Sequence, residues 1–92
     1  MALLSEDEIR AFLADNPNWL RDNASITRTY EFGDFNEAMG FVTRVALAAE
    51  KANHHPDIDI RWNKVTLTLS THSEGGLTEL DLSLAGTTDR LA

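Results

Sequence analysis

Apolar residues recur along this chain with two alternating periods, and the switches between them divide it into elements. Ile9, Phe12 and Leu13 lie at helical spacing behind Ser5-Glu6-Asp7-Glu8. That tetrapeptide is a capping box, with Leu4 and Ile9 placed as a hydrophobic staple. A short helix is predicted from there to Asn16-Pro17-Asn18, which ends it. Trp19-Leu20-Arg21 and Ser25 to Phe32 read as two strands joined at Asp22-Asn23, because the second run is rich in β-branched and aromatic residues. Ile26, Tyr30 and Phe32 share one face of it, but so does Arg28, so the alternation is imperfect and one end is expected to be exposed. Trp19 is expected in the core.

Asp34-Phe35-Asn36-Glu37 is a second capping box and opens the longest helix, which runs to about Ala52. Phe35, Ala38, Met39, Val42, Val45, Ala46 and Ala49 form one stripe, and Phe41, Ala48 and Ala52 part of a second. A helix apolar over so much of its circumference is expected to meet another subunit with its second flank. Pro56 cannot continue the helix and pushes His55 toward an extended backbone, which places the end between Ala52 and His54.

Beyond Pro56 the period becomes two. Ile58, Ile60 and Trp62 alternate with Asp57, Asp59 and Arg61, and Val65, Leu67 and Leu69 with Thr66, Thr68 and Ser70. These predict an antiparallel hairpin turning at Asn63-Lys64. Continued alternation would put His72 on the face of Thr66, Thr68 and Ser70, unless the strand bends first. Gly75-Gly76 makes a turn, and Thr78-Glu79-Leu80-Asp81, with Leu77 and Leu82 as staple, opens a final helix to the C-terminus.

The composition changes this picture mainly by exclusion. Ninety-two residues, 42 % apolar and 25 % charged, read as one domain spanning 1–92. Fifteen acidic residues against eight basic ones give a formal charge of −7, with the basic ones scattered. Direct nucleic-acid binding would need a basic footprint, so neither that nor an acidic membrane surface is an expected partner. The absence of cysteine removes disulfides, thiolate metal sites and a thiol nucleophile. No apolar run approaches the roughly 20 residues that span a bilayer, the first ten residues lack a signal-peptide pattern, and the expected location is cytoplasmic.

The candidate chemistry is concentrated between Glu50 and His72. His54 and His55 are adjacent at a helix end, where the helix dipole favours a protonated imidazole, and His72 closes the next strand. Imidazole is the side chain suited to proton transfer near neutral pH. Neighbouring side chains rarely converge on one ion, so the cluster reads poorly as a metal site. Serine-elbow, phosphate-cradle and dinucleotide motifs are missing. What remains is general acid/base chemistry on a neutral heterocycle or carbonyl adduct, with Glu50 and Asp81 to orient the rings; Asp81 is expected to serve both as a helix cap and as a partner for His72.

Asp34-Phe35-Asn36-Glu37-Ala38, Val45-Ala46 with Ala49-Glu50-Lys51, Asn53-His54-His55-Pro56, Trp62-Asn63-Lys64-Val65, Leu69-Ser70-Thr71-His72, and Gly76-Leu77-Thr78 with Asp81 together resemble the pterin-4a-carbinolamine dehydratases. The resemblance runs from about Trp19 to near the C-terminus. It implies an α+β fold, with the three helices on one face of a four-stranded antiparallel sheet, and assembly into homodimers or homotetramers. It implies dehydration of 4a-hydroxytetrahydropterin to quinonoid dihydropterin without metal or organic cofactor. By position, His54, His55 and His72 match the family's active-site histidines, Glu50, Pro56 and Asp81 match supporting positions, and Trp62 stands where an aromatic residue recurs. Some animal relatives also serve as dimerisation cofactors for a homeodomain transcription factor, so a non-enzymatic binding protein is the alternative.

Overall fold

The computed structural model describes all residues, 1–92. In chain order it contains α1 (Glu6–Asp15), β1 (Leu20–Asp22), β2 (Ser25–Glu31), α2 (Phe35–Ala52), β3 (Asp57–Arg61), β4 (Lys64–Leu69), a short 3-10 turn (His72–Glu74) and α3 (Glu79–Leu91). The strands form one antiparallel sheet in the order β1-β2-β4-β3. With three α-helices against that open sheet, the fold is α+β, as expected.

Strand period decides which face the helices cover. Ile26 and Tyr30 of β2 and Val65, Leu67 and Leu69 of β4 point to one side and are buried with Trp19, Ala38, Phe41, Val45, Leu84 and Ala85. On the opposite face, register pairs Thr27 with Thr68, Thr29 with Thr66 and Glu31 with Lys64. The two threonine pairs hydrogen-bond at 3.3 and 2.8 Å, the cross-strand contact expected of a solvated sheet face. β3 is an edge strand. Ile58 and Ile60 pair with Leu67 and Val65 but stay over a third exposed, because the helices do not reach that edge.

Arg28 breaks the alternation of β2 and is accommodated by α3. Its guanidinium lies 4.4 Å from the Tyr30 ring centre and 2.8 Å from the Asp89 carboxylate. Asp89 also accepts from Trp19 Nε1 at 3.0 Å and from the Tyr30 hydroxyl, which contacts Thr88 as well. One carboxylate on α3 thus gathers three polar groups brought in by the sheet side of the core.

The capping predictions meet the structure with one change. Ser5 and Glu8 satisfy each other's backbone donors, and so do Thr78 and Asp81. At α2 the Asp34 side chain caps Glu37 N–H, but the Glu37 carboxylate returns to Gly33 N–H rather than to Asp34.

Two turns shift by one residue. β1 begins after the buried Trp19 and turns at Asn23-Ala24, with Asn23 at φ 54°. The β3–β4 turn is Trp62-Asn63 instead of Asn63-Lys64, since Arg61 pairs with Lys64. Trp62 takes the positive φ, 52°, and is exposed.

The face of α2 also differs from the expected stripe. Ala38, Phe41, Val45 and Ala49 are its buried residues, so Phe41 belongs to the core while Phe35 and Ala46 are exposed. Phe35, Met39, Val42 and Ala46 lie about a quarter-turn round the helix, on the flank. With apolar residues on both stripes, periodicity could not choose between them; Phe41 wins because it packs 4.7 Å from Tyr30 and 5.0 Å from Phe32.

Candidate active site

α2 ends in a Schellman motif, and that motif aims the first histidine. Asn53 takes the left-handed conformation (φ 49°, ψ 42°), its N–H donates to Glu50 O at 3.2 Å, and His54 N–H donates to Ala49 O at 3.1 Å. Asparagine tolerates this backbone better than most residues with a Cβ. The reversal tucks His54 back against the body of the protein, where it is buried, while the next residue, His55, points outward and is exposed.

The third histidine comes from the other side of the cleft. β4 stops at Leu69, Thr71 makes an isolated bridge with Gly76, and His72 opens the 3-10 turn that Gly75 closes at φ 73°. A positive φ there suits glycine. The strand therefore ends before His72, yet burial still alternates across the junction, with Thr71 buried and Ser70 and His72 more open.

These segments enclose a cleft of about 260 Å³ lined by Asn53, His54, His55, Ser70, Thr71, His72, Ser73 and Leu80. All three histidines contribute to it. Glu50 reaches its rim through His55, whose Nε2 lies 2.6 Å from Glu50 Oε1 with both groups exposed. Asp81 is wholly buried behind the cleft and pairs with His54, not His72: His54 Nε2 to Asp81 Oδ1 is 2.6 Å. His72 has no side-chain hydrogen-bond partner within the protein and is exposed. The two adjacent histidines thus turn to different carboxylates, and no three His, Asp or Glu side chains are grouped as a metal-ligand set.

Pro56 is half-buried and directs the chain from the cleft into β3. Trp62 is not among the lining residues. It sits at the opposite end of the β3–β4 hairpin, about 20 Å away by the rise of a six-residue strand. Thr71 and Thr78 are hydroxyls that the sequence marked only as part of a motif and as a cap. Both are buried, Thr71 Oγ1 donating to Asp81 Oδ2 at 2.8 Å and lying 2.8 Å from Thr78 Oγ1. No sequence spacing signals that contact.

The open α+β sheet and the end of its longest helix bring a histidine pair and a third histidine around one cleft. The family described as "Pterin 4 alpha carbinolamine dehydratase" matches residues 2–91, and the chain belongs to that family. Among similar proteins named "Putative pterin-4-alpha-carbinolamine dehydratase", one from Mycobacteroides abscessus is 53 % identical over 89 residues, covering 97 % of this chain and 95 % of the relative. Another, from Nocardia farcinica, is 54 % identical over 90 residues, covering 98 % and 95 %. A solved structure described as a transcriptional coactivator/pterin dehydratase from Brucella melitensis superposes with a TM-score of 0.94 at 40 % identity, covering 99 % of each chain. A pterin dehydratase-like protein described as a RuBisCO assembly factor of the alpha-carboxysome shares the fold, with a TM-score of 0.68 at 23 % identity over 80 % of this chain and 86 % of that one. No helix here is long and apolar enough to cross a membrane.

Proposed function

We propose that the protein removes water from 4a-hydroxytetrahydropterin and releases quinonoid dihydropterin, as a step in recycling a pterin cofactor. The observation that carries this is the meeting of three imidazoles in one cleft, one of them held by a buried carboxylate. Family membership and the names of the relatives support the same substrate class.

The chemistry needs a proton delivered at one atom and removed at another. Hydroxide is a poor leaving group from C4a, so an acid protonates that oxygen as the C4a–O bond breaks. The N5 lone pair forms the new C4a–N5 double bond, and loss of a proton from a ring nitrogen completes the elimination of one water. His54 and His72 carry this proton traffic, with water able to take the ring proton, and His55, braced by Glu50, holds the pterin. Asn53, Ser70 and Ser73 offer hydrogen bonds to the ring edge. The cleft volume, just under the usual range of ligand pockets, suits a small flat heterocycle.

Stopped-flow dehydration of chemically generated 4a-hydroxytetrahydropterin, with and without chelator, tests this. Turnover above the spontaneous rate and indifferent to chelator is expected. A rate equal to the uncatalysed one would overturn the proposal.

A further inference from the structure

The geometry points to Thr71 and Thr78 as positioning residues that fix which nitrogen of His54 faces the cleft. This inference rests on the proposed proton-transfer role of that histidine. Its basis is a count of protons along one buried chain of hydrogen bonds.

A carboxylate only accepts, and a threonine hydroxyl has a single proton to give. Thr71 spends its proton on Asp81 Oδ2, at 2.8 Å. The contact between Thr71 Oγ1 and Thr78 Oγ1, also 2.8 Å, must then be donated by Thr78. Thr78 Oγ1 in turn accepts from Leu80 N–H at 3.3 Å, and Thr78 N–H donates to Asp81 Oδ2 at 2.9 Å. Every proton in the chain therefore points from the start of α3 toward Asp81, and Oδ2 receives two donors.

These two donors hold the carboxylate in place, so that Oδ1 is presented to His54. Since Oδ1 is an acceptor, the 2.6 Å contact requires the imidazole proton on Nε2. Nδ1 then carries the free lone pair of the neutral ring. It has no hydrogen-bond partner within the protein, yet it is not among the solvent-inaccessible unpaired atoms, so it opens on the cleft. The helix cap thus doubles as a tautomer lock: His54 meets substrate through Nδ1, as a base when neutral and as an acid when protonated.

Ring ¹⁵N spectra of His54 at about pH 8.5, where imidazole is ordinarily neutral, test this directly. The unmodified protein should show a single Nε2–H tautomer; an Nδ1–H signal would overturn the inference. Thr71→Val keeps the side-chain shape and the backbone bridge to Gly76 but removes the donor. It frees the Asp81 carboxylate to turn away from His54, so that the Nε2–H form loses its acceptor and the second tautomer appears. It should also lower kcat by about ten- to a hundredfold with KM little changed, the scale seen when a partner that orients a functional histidine is lost. Thr71→Ser should restore both. A folded Thr71→Val protein whose ring signals match the parent would overturn the inference whatever its rate, and Thr71→Ala serves in its place should the valine variant not fold. The spectra need no substrate, so a protein without dehydratase activity would fail the stopped-flow test and be told apart from a failure here.

Discussion

His54 Nε2 and Asp81 Oδ1 lie 2.6 Å apart across the junction of α2 and α3, and the carboxylate is wholly shielded from solvent. Asp81 serves the fold as the third residue of its helix and the cleft as the brace of an imidazole. Asp81→Asn replaces one acceptor by an NH₂ group, which must face either His54 or Thr71. Turnover should fall by at least about 10²-fold, and stability by about 1–3 kcal/mol as a buried group loses its match. Urea unfolding run beside the dehydration assay separates the two effects. Parent-like turnover in the folded variant would show that the brace is dispensable.

His54 and His72 should differ in what they cost the fold. Removing His72, which is exposed and unpartnered, is expected to change stability by less than about 0.5 kcal/mol. His54→Ala leaves a buried Asp81 oxygen unmatched and should cost about 1–3 kcal/mol. Each removal should slow dehydration by about 10²- to 10⁴-fold where the group acts as general acid or base. A double variant as fast as the parent would remove both from the reaction.

Burial, and then its hydrogen bond to Asp89, push the Tyr30 phenol above its ordinary pKa, against smaller lowering by Thr88 and Arg28. A folded-state pKa above the unfolded one makes the folded chain hold the proton more tightly. The associated stability is therefore complete below the unfolded phenol value, about 10, and is lost as pH rises beyond it. Thermal melts should show a falling midpoint above that pH. The Tyr30→Phe protein should be less stable near neutrality and lose less on going alkaline; an equal alkaline slope in both would count against this assignment.

Trp62 holds a positive φ in a two-residue turn and is largely exposed, whereas Trp19 is buried and hydrogen-bonded to Asp89. Glycine takes that backbone without strain, so Trp62→Gly should change stability by less than about 1 kcal/mol, relief of φ offsetting lost ring contact. Acrylamide should quench the Trp62 fluorescence and leave the blue-shifted Trp19 emission. Emission from both tryptophans that resists acrylamide would show that Trp62 is covered in solution.

The flank of α2 carries exposed Phe35 and Ala46 beside half-buried Met39 and Val42. Association through this flank predicts sedimentation as an oligomer at micromolar concentration, and Ala46→Glu should shift it toward the monomer. A parent protein that sediments only as a monomer would retire the idea.

Much of this molecule is decided locally and so could be read along the chain. Ser5 with Glu8, Thr78 with Asp81, and Pro56 after the paired histidines set helix limits through groups only a few residues apart. The period-two runs on either side of Asn63 made β3 and β4 recognisable before any packing was known. Tertiary structure decided whatever depended on a competition between equivalent local choices. The long helix had two apolar stripes, and contact with Tyr30 and Phe32 selected the one containing Phe41. The hairpin could turn at either of two adjacent pairs, and strand register chose Trp62-Asn63. Asp81 could have braced either of two histidines, and only the Schellman reversal after Ala52 brought His54 within reach of it. Sequence spacing limits which partners are possible, but hydrogen-bond geometry across elements far apart in the chain selects among them.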